Sequence, residues 1–320
     1  MFLYPGADFT GKIFMEDISI PENIIHSQNI TVNLCDTDLL ENLCPKRKAN
    51  SHKGDYGKIL IAGGSAGMSG AVVLAAQAAL FSGGGLITAA VPESLNGFME
   101  NKLTEVMSIP LADDNGFIAC SAADDITENA NQSDALLFGV GLGRNRSQRD
   151  ILEKIISSCR KTLIIDADGL FALAQNADML KNKSCDIILT PHSAEFARLI
   201  EKTTEETEKD RIGLSLEFAK KYGVTLVLKG SRTVITSADG EQYINISGNA
   251  GMASGGSGDV LAGMITAFAA RGMTPLNAAV FGVGMHGLAG DAAMNHLGIE
   301  SVTAGGIIEH IPSAFEILRN

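Results

Sequence analysis

Short apolar runs alternate with longer amphipathic or small-residue stretches over most of the chain. Runs at residues 58–62, 86–92, 134–140, 162–169, 186–192 and 225–230 have apolar bodies rich in Ile, Leu, Val and Ala, the fourth ending in Asp166 and Asp168. That pattern predicts strands buried on both faces, as in a parallel sheet. Helical patterns fall between and after them, at 71–80, near 147–159, and at 170–174, 193–200, 205–222, 260–271, 275–297 and 302–318. The 71–80 run is so small and apolar that it predicts a helix held inside the core. Two further runs, 233–236 and 242–246, flank Asp239-Gly240 and predict a hairpin. Strand and helix in alternation predict an α/β fold with helices on both faces of a mainly parallel sheet.

The first fifty residues read differently. Residues 11–20 hold one short alternating run, 21–33 are polar, and 36–43 predict one helix. Residues 45–55 form a polar, basic connector, read as a solvated linker or, with Lys53, as a neighbour of the site. The packed domain is expected from Lys58.

The chain's most distinctive stretch is 248–263, with six glycines in sixteen residues before an apolar helix. Glycine is costly inside regular structure, so these residues predict a loop. A glycine-rich loop that feeds a helix N-terminus presents unpaired N–H groups and the positive end of the helix dipole, which suits phosphate. Asp259 closes the loop, and a carboxylate there is either an N-cap or a base beside a transferred phosphate. Gly63-Gly64-Ser65 and Gly141-Leu142-Gly143 repeat the strand–glycine–turn arrangement. The Gly63–Gly70 turn is not a G-x-G-x-x-G, no acidic residue follows a second strand at the expected distance, and no G-x-x-x-x-G-K-[ST] occurs, so a Rossmann dinucleotide site there and P-loop chemistry are not supported. Ligands of open α/β sheets sit at the carboxyl ends of the strands. That rule would gather Gly63–Ser65, Gly141–Gly143, Asp166 and Asp168, His192 with Glu195, Lys229, and Gly255–Asp259 on one edge.

Composition narrows the picture. The 320 residues are 45% hydrophobic and carry a net charge of −12, so a large core is expected and a nucleic-acid surface is not. Five scattered cysteines, with no C-x-x-C, predict reduced thiols in a cytoplasmic protein. No apolar run approaches a membrane span, and no signal peptide is evident. His26, His52, His286, His296 and His310 show no ligand spacing and are read as structural, and Met264, Met273, Met285 and Met294 as core.

Lys53-Gly54-Asp55-Tyr56-Gly57, Gly63-Gly64-Ser65 and Ser69-Gly70-Ala71 together resemble the opening motif of the ADP/ATP-dependent NAD(P)H-hydrate dehydratases. Gly141-Leu142-Gly143, Asp166-Ala167-Asp168-Gly169, Leu189-Thr190-Pro191-His192 with Glu195-Phe196, Leu228-Lys229-Gly230 with Thr233, and Gly255-Gly256-Ser257-Gly258-Asp259 follow in the family's order. The resemblance spans about residues 51–320. It implies a ribokinase-like three-layer αβα sandwich. The implied activity is nucleotide-dependent repair of the S epimer of hydrated NADH and NADPH, by phosphorylation of the added hydroxyl and loss of phosphate.

The same resemblance implies the roles. Asp259 is the base, and Gly255, Gly256, Ser257 and Gly258 form the anion hole. Lys229, Gly230, Ser231, Arg232, Thr233 and Gly258 bind ADP or ATP, with ADP the expected donor. Ala71, Gly141, Gly143, His192 and Asp259 contact the hydrated dinucleotide, and Mg2+ is held through water by Asp166 and Glu195. A homo-oligomer, often a tetramer, is implied, with no nucleic-acid or membrane partner. Residues 11–21 resemble the last strand of a hydrate epimerase domain, so residues 1–50 are expected to be its remnant or tail plus linker, without epimerase activity. The rival readings are a ribokinase-like kinase for a vitamin precursor and a non-catalytic nucleotide sensor.

Overall fold

The computed structural model describes residues 2–11, 13–14, 16, 18–28, 30–145 and 147–319. Lys12 and Asp17 of the epimerase-like stretch, and the side chain of His26, lie outside them. The described residues between 11 and 21 form no helix or strand.

Ten strands make the main sheet: β1 (Val32–Cys35), β2 (Lys58–Ala62), β3 (Leu86–Pro92), β4 (Met107–Leu111), β5 (Ala135–Phe138), β6 (Thr162–Ile165), β7 (Ile187–Leu189), β8 (Thr225–Leu228), β9 (Val234–Thr236) and β10 (Gln242–Asn245). Their order across the sheet is β1-β10-β9-β8-β7-β6-β5-β2-β3-β4. All neighbours are parallel except β9, which runs against both β8 and β10. The expected hairpin is there, with Thr236 opposite Gln242. Gly240 takes a left-handed φ of 94° in its turn.

Successive strand residues serve opposite cores, as the pleat requires. Ile59, Ile61, Leu137, Ile164, Ile188 and Val227 face one core with the helices Ser69–Phe81, Ser257–Ala270 and Pro275–Leu297. Leu60, Leu136, Phe138, Leu163, Leu189 and Leu226 face the other, under helices Ala123–Gln132, Ser147–Ser158, Ser193–Leu199 and Arg211–Tyr222. Each such buried aliphatic side chain contributes about 1.5–3 kcal/mol. The result is a three-layer α/β/α fold.

Several details depart from the pattern. Val32–Cys35 is an edge strand parallel to β10, and Cys35 and Leu40 are core residues, so the chain enters this fold ahead of the boundary drawn at residue 51. Its run is short and its neighbours polar, and only pairing with a strand some 200 residues away reveals it. The polar 205–222 helix is two, Thr204–Lys209 and Arg211–Tyr222; Asp210 breaks it and caps the second by accepting from the Gly213 N–H. Residues 302–318 likewise split into Ala304–Glu309 and Ile311–Ile317, where Pro312 has no N–H to continue the first helix. Residues 93–132, to which periodicity assigns nothing, hold the helix Glu93–Lys102, the edge strand β4, a small hairpin (Asp113–Asp114 with Phe117–Ile118) and the helix Ala123–Gln132. The Lys53–Tyr56 turn lies at the amino ends of β2 and β3, where the Gly85 N–H donates to the Tyr56 carbonyl. Lys53 is therefore not beside the carboxyl-end loops.

Helix Ser257–Ala270 is almost wholly buried and crosses Ser69–Phe81 closely. A Cβ on Gly263 would lie 2.2 Å from the Ala75 carbonyl oxygen, so only glycine allows this approach. In an exposed helix a Gly→Ala change gains about 1 kcal/mol. Here Gly263→Ala is expected to cost about 1–3 kcal/mol by forcing the helices apart. Denaturant unfolding reads the sign, and a more stable variant would contradict the close crossing.

Candidate active site

The loops that follow the strands carry almost every singled-out residue to the carboxyl edge of the sheet. Gly63–Ser65 follows β2, residues 139–144 follow β5, Asp166 and Asp168 follow β6, residues 190–192 follow β7, and Lys229 follows β8. Helix Ser257–Ala270 begins at the same edge. Its N-cap is Gly256, in a left-handed conformation (φ 90°), and no side chain caps it. Asp259 sits in the first turn, so the capping role does not apply. Among the described residues, the Gly258 and Asp259 N–H groups have no carbonyl or side-chain partner. Uncapped N–H groups at a helix start form an anion site.

Lys229 crosses to this helix start. Its Nζ lies 2.8 Å from Asp166 Oδ1, with the lysine side chain 18% exposed and the aspartate 2%. A Cβ on Gly258 would be 3.3 Å from Lys229 Nζ and 3.9 Å from Asp166 Oδ2, so the ion pair abuts the anion loop. Burial alone would depress the lysine; the Asp166 and Glu195 carboxylates outweigh it and hold its pKa above the usual value. Asp259 is pushed up to about 7, first by burial and then by the negative charge of Asp166, against the pull of Lys229. Burial likewise raises Glu195. Three carboxylates, Asp166, Glu195 and Asp259, thus share one lysine.

The side that the resemblance assigns to the dinucleotide is built from loop-to-loop bonds. Ser65, fully buried, donates to the Gly141 carbonyl at 2.9 Å. A Cβ on Gly141 would lie 3.0 Å from the Ala71 Cβ, and one on Gly143 would strike the Phe117 ring at 2.5 Å. Ala71 and Gly141 therefore adjoin, and the 117–118 hairpin strand packs on Gly143. Asp168 accepts the Gly143 N–H at 2.8 Å and faces Arg144 Nε at 3.5 Å. It orders this loop, a role its sequence position did not reveal.

His192 caps helix Ser193–Leu199. Its Nδ1 accepts from the Ala194 and Glu195 N–H groups, while the Glu195 carboxylate accepts the His192 N–H at 2.8 Å. Nδ1 is committed to the backbone, and Nε2, 3.5 Å from Glu195 Oε1, remains for other contacts. Burial and the Lys229 charge hold its pKa down. Gly230 and Thr233 close a turn on themselves, the Thr233 hydroxyl donating to the Gly230 carbonyl at 3.1 Å. Ser231 is exposed at its tip, and Arg232 donates to the Ile246 carbonyl. Beneath the turn, buried Arg211 donates to the Leu228 carbonyl at 2.7 Å.

Two supports escaped the sequence pattern. His286, in the middle of a buried helix, places Nε2 3.3 Å from the Ser257 hydroxyl, and burial lowers its pKa to about 4, so it is neutral there. Asp291 accepts from the Gly248 N–H and the Asn249 amide, both at 2.9 Å, and anchors the start of the glycine-rich loop. Each acts across about thirty or more residues, and no local periodicity signals it.

A metal at this edge would take much of its coordination from water and phosphate oxygens. Among the described residues no group of three or more His, Cys, Asp or Glu is close enough to hold a bare ion. Mg2+ keeps several waters and takes one or two carboxylates plus phosphates, so Asp166 and Glu195 fit that mode.

Comparison with known proteins places the chain in a family. The family model described as NAD(P)H-hydrate dehydratase matches residues 59–313. The bifunctional NAD(P)H-hydrate repair enzyme of Moorella thermoacetica is 38% identical over 99% of this chain, which spans 59% of that relative's length. The ADP-dependent (S)-NAD(P)H-hydrate dehydratase of Neisseria meningitidis is 38% identical over 86% of this chain and 88% of its own. A crystal structure of the ADP/ATP-dependent NAD(P)H-hydrate dehydratase of Bacillus subtilis, co-crystallized with ATP/Mg2+, superposes with a TM-score of 0.78 at 26% identity, covering 90% of this chain and 99% of that one. A family match over most of the fold, on a site with the ordered motifs in place, shows that the chain belongs to the NAD(P)H-hydrate dehydratase family.

Proposed function

We propose that this chain dehydrates the S epimer of hydrated NADH and NADPH back to the reduced dinucleotide, at the expense of ADP or ATP. The observation that carries the reading is Asp259, a carboxylate with a pKa of about 7 on an uncapped helix start beside the Lys229–Asp166 pair. A base works best with its pKa near the operating pH. Asp259 takes the proton from the ring hydroxyl as its oxygen attacks the terminal phosphorus of the nucleotide, and the phosphorus–oxygen bond to the leaving nucleotide breaks. In the Gly255, Gly256, Ser257 and Gly258 loop the three glycines offer N–H groups where charge grows on the phosphoryl oxygens, while the Ser257 N–H donates to the Ser254 carbonyl. Lys229 and the Gly230–Thr233 turn hold the donor nucleotide. Ala71, Gly141, Gly143 and the free nitrogen of His192 face the dinucleotide. Mg2+ held through water by Asp166 and Glu195 would neutralise phosphate charge. The new phosphate ester then leaves with the ring C–O bond electrons, a proton is lost from the neighbouring carbon, and the nicotinamide double bond returns.

The test incubates the protein with hydrated NADH, Mg2+ and either ADP or ATP and follows the near-ultraviolet absorbance of reduced nicotinamide. Absorbance is expected to return, and Asp259→Asn to lower the rate by about 10²–10⁴-fold. A product that keeps its phosphate would point to a small-molecule kinase, and tight nucleotide binding without turnover to a sensor; either would overturn the proposal.

The pH profile follows from the same carboxylate. Activity is expected to rise as pH increases through about 7, where Asp259 loses its proton. Stability runs the other way. The unfolded aspartate titrates near 3.9, so between about 4 and 7 the folded chain binds more protons and loses stability as pH rises. Asp259→Asn removes that loss, so thermal melts should show its stability relative to wild type increasing from pH 4 to pH 8. Lys229 pulls the Asp259 pKa down, so Lys229→Met should move the rising limb of the pH–rate profile up by about one unit. An unmoved limb would detach Lys229 from the base.

A further inference from the structure

Two histidines fourteen positions apart meet where the C-terminal helices end. His296 lies in the last turn of helix Pro275–Leu297, and His310 follows helix Ala304–Glu309. His296 Nδ1 is 3.2 Å from His310 Nε2, with the ring planes tilted by 55°. His310 Nδ1 is 2.7 Å from the Gly306 carbonyl oxygen. A carbonyl only accepts, so Nδ1 carries the proton and Nε2 presents its lone pair towards His296. An imidazole oriented by a backbone carbonyl on its far nitrogen is the usual support of a metal-binding histidine. Metal–nitrogen bonds of 2.0–2.1 Å in a tetrahedron put neighbouring nitrogens about 3.3 Å apart. The two rings already stand at that separation.

We propose that His296 and His310 form a binding site for a divalent transition ion that prefers imidazole, with Zn2+ as the representative. Without the ion, His296 donates its Nδ1 proton to His310; with it, that proton moves to the other ring nitrogen and both lone pairs face the metal. Among the described residues no third His, Cys, Asp or Glu joins them, so water fills the remaining positions. A pair of imidazoles selects against Mg2+, which takes oxygen ligands, and so separates this site from the phosphate site. The location gives the ion a mechanical role. The segment between the two histidines backs the glycine-rich loop: a Cβ on Gly251 would lie 2.4 Å from the Ile299 carbonyl oxygen, and one on Gly256 3.1 Å from the Ala304 Cβ. An ion on both rings would clamp the helix ends behind the anion hole.

The probe is Zn2+ alone, titrated by calorimetry into the full, chelator-stripped chain, with the visible bands of tetrahedral Co2+ as a second readout. One ion per chain is expected, with a rise in melting temperature of about 2 °C or more at saturation. His296→Asn and His310→Asn should each weaken binding at least tenfold, about 1.4 kcal/mol. Each variant is compared with its own metal-free melt, so any loss of stability from the substitution cancels. Mg2+ at the same concentration should give no such rise. No Zn2+ binding up to about 1 mM, or an affinity that both variants retain, would overturn the site, the latter placing the ion on the thiols instead.

Discussion

The Lys229–Asp166 ion pair is the constraint on which the site's organisation rests. Removing a charge from water is costly, and a buried pair survives only with close geometry and further partners. Here the lysine answers Asp166 at 2.8 Å while Glu195 and Asp259 act on it from either side. Those carboxylates would repel one another without it. Their surplus of negative charge and their burial keep Asp259 near neutrality, against the helix N-terminus that would otherwise favour its ionised form. The pair joins the ends of β6 and β8, so it also holds two strand ends at a fixed distance from the anion loop.

The rest of the fold serves to deliver that arrangement. Every strand but β9 runs parallel, so their carboxyl ends point the same way and the loops that follow them meet on one edge. The glycine-rich loop must reach that edge from a buried helix, and the close crossing at Gly263 sets its depth. His286 and Asp291, both on helix Pro275–Leu297, fix the loop from behind, one at Ser257 and one at Gly248 and Asn249. Helix ends near His296 and His310 continue that support to the surface. One long helix therefore supports the glycine-rich loop at both its start and its end.

Much of this was legible in the chain itself. Runs such as 58–62 and 86–92 became β2 and β3 with the same bounds, because strands buried on both faces need unbroken apolar sequence. The Ser69–Phe81 helix buries Val72, Ala75, Ala76, Ala78 and Ala79 in the core while Gly70 and Phe81 at its ends stay exposed, and Met264 and Met285 are core. Asp166, Lys229, Gly258 and Asp259 do converge, since strand-end position alone predicts a shared edge. Periodicity failed where neighbours decide: Val32–Cys35 pairs only with β10, and Asp210 and Pro312 interrupt helices that the apolar pattern runs through.

The sequence by itself determined the layered α/β class, the edge on which chemistry sits, and the glycine loop with its aspartate, because these follow from local periodicity, backbone freedom and side-chain chemistry. Only the tertiary structure decided what each polar group does there. It made His192 a helix cap, gave Asp168 to the Gly143 loop, left Asp259 uncapped in the first turn with a pKa of about 7, and brought His296 to His310. Burial, ion pairing and approach between distant residues set these roles, and none of them is a property of neighbours along the chain.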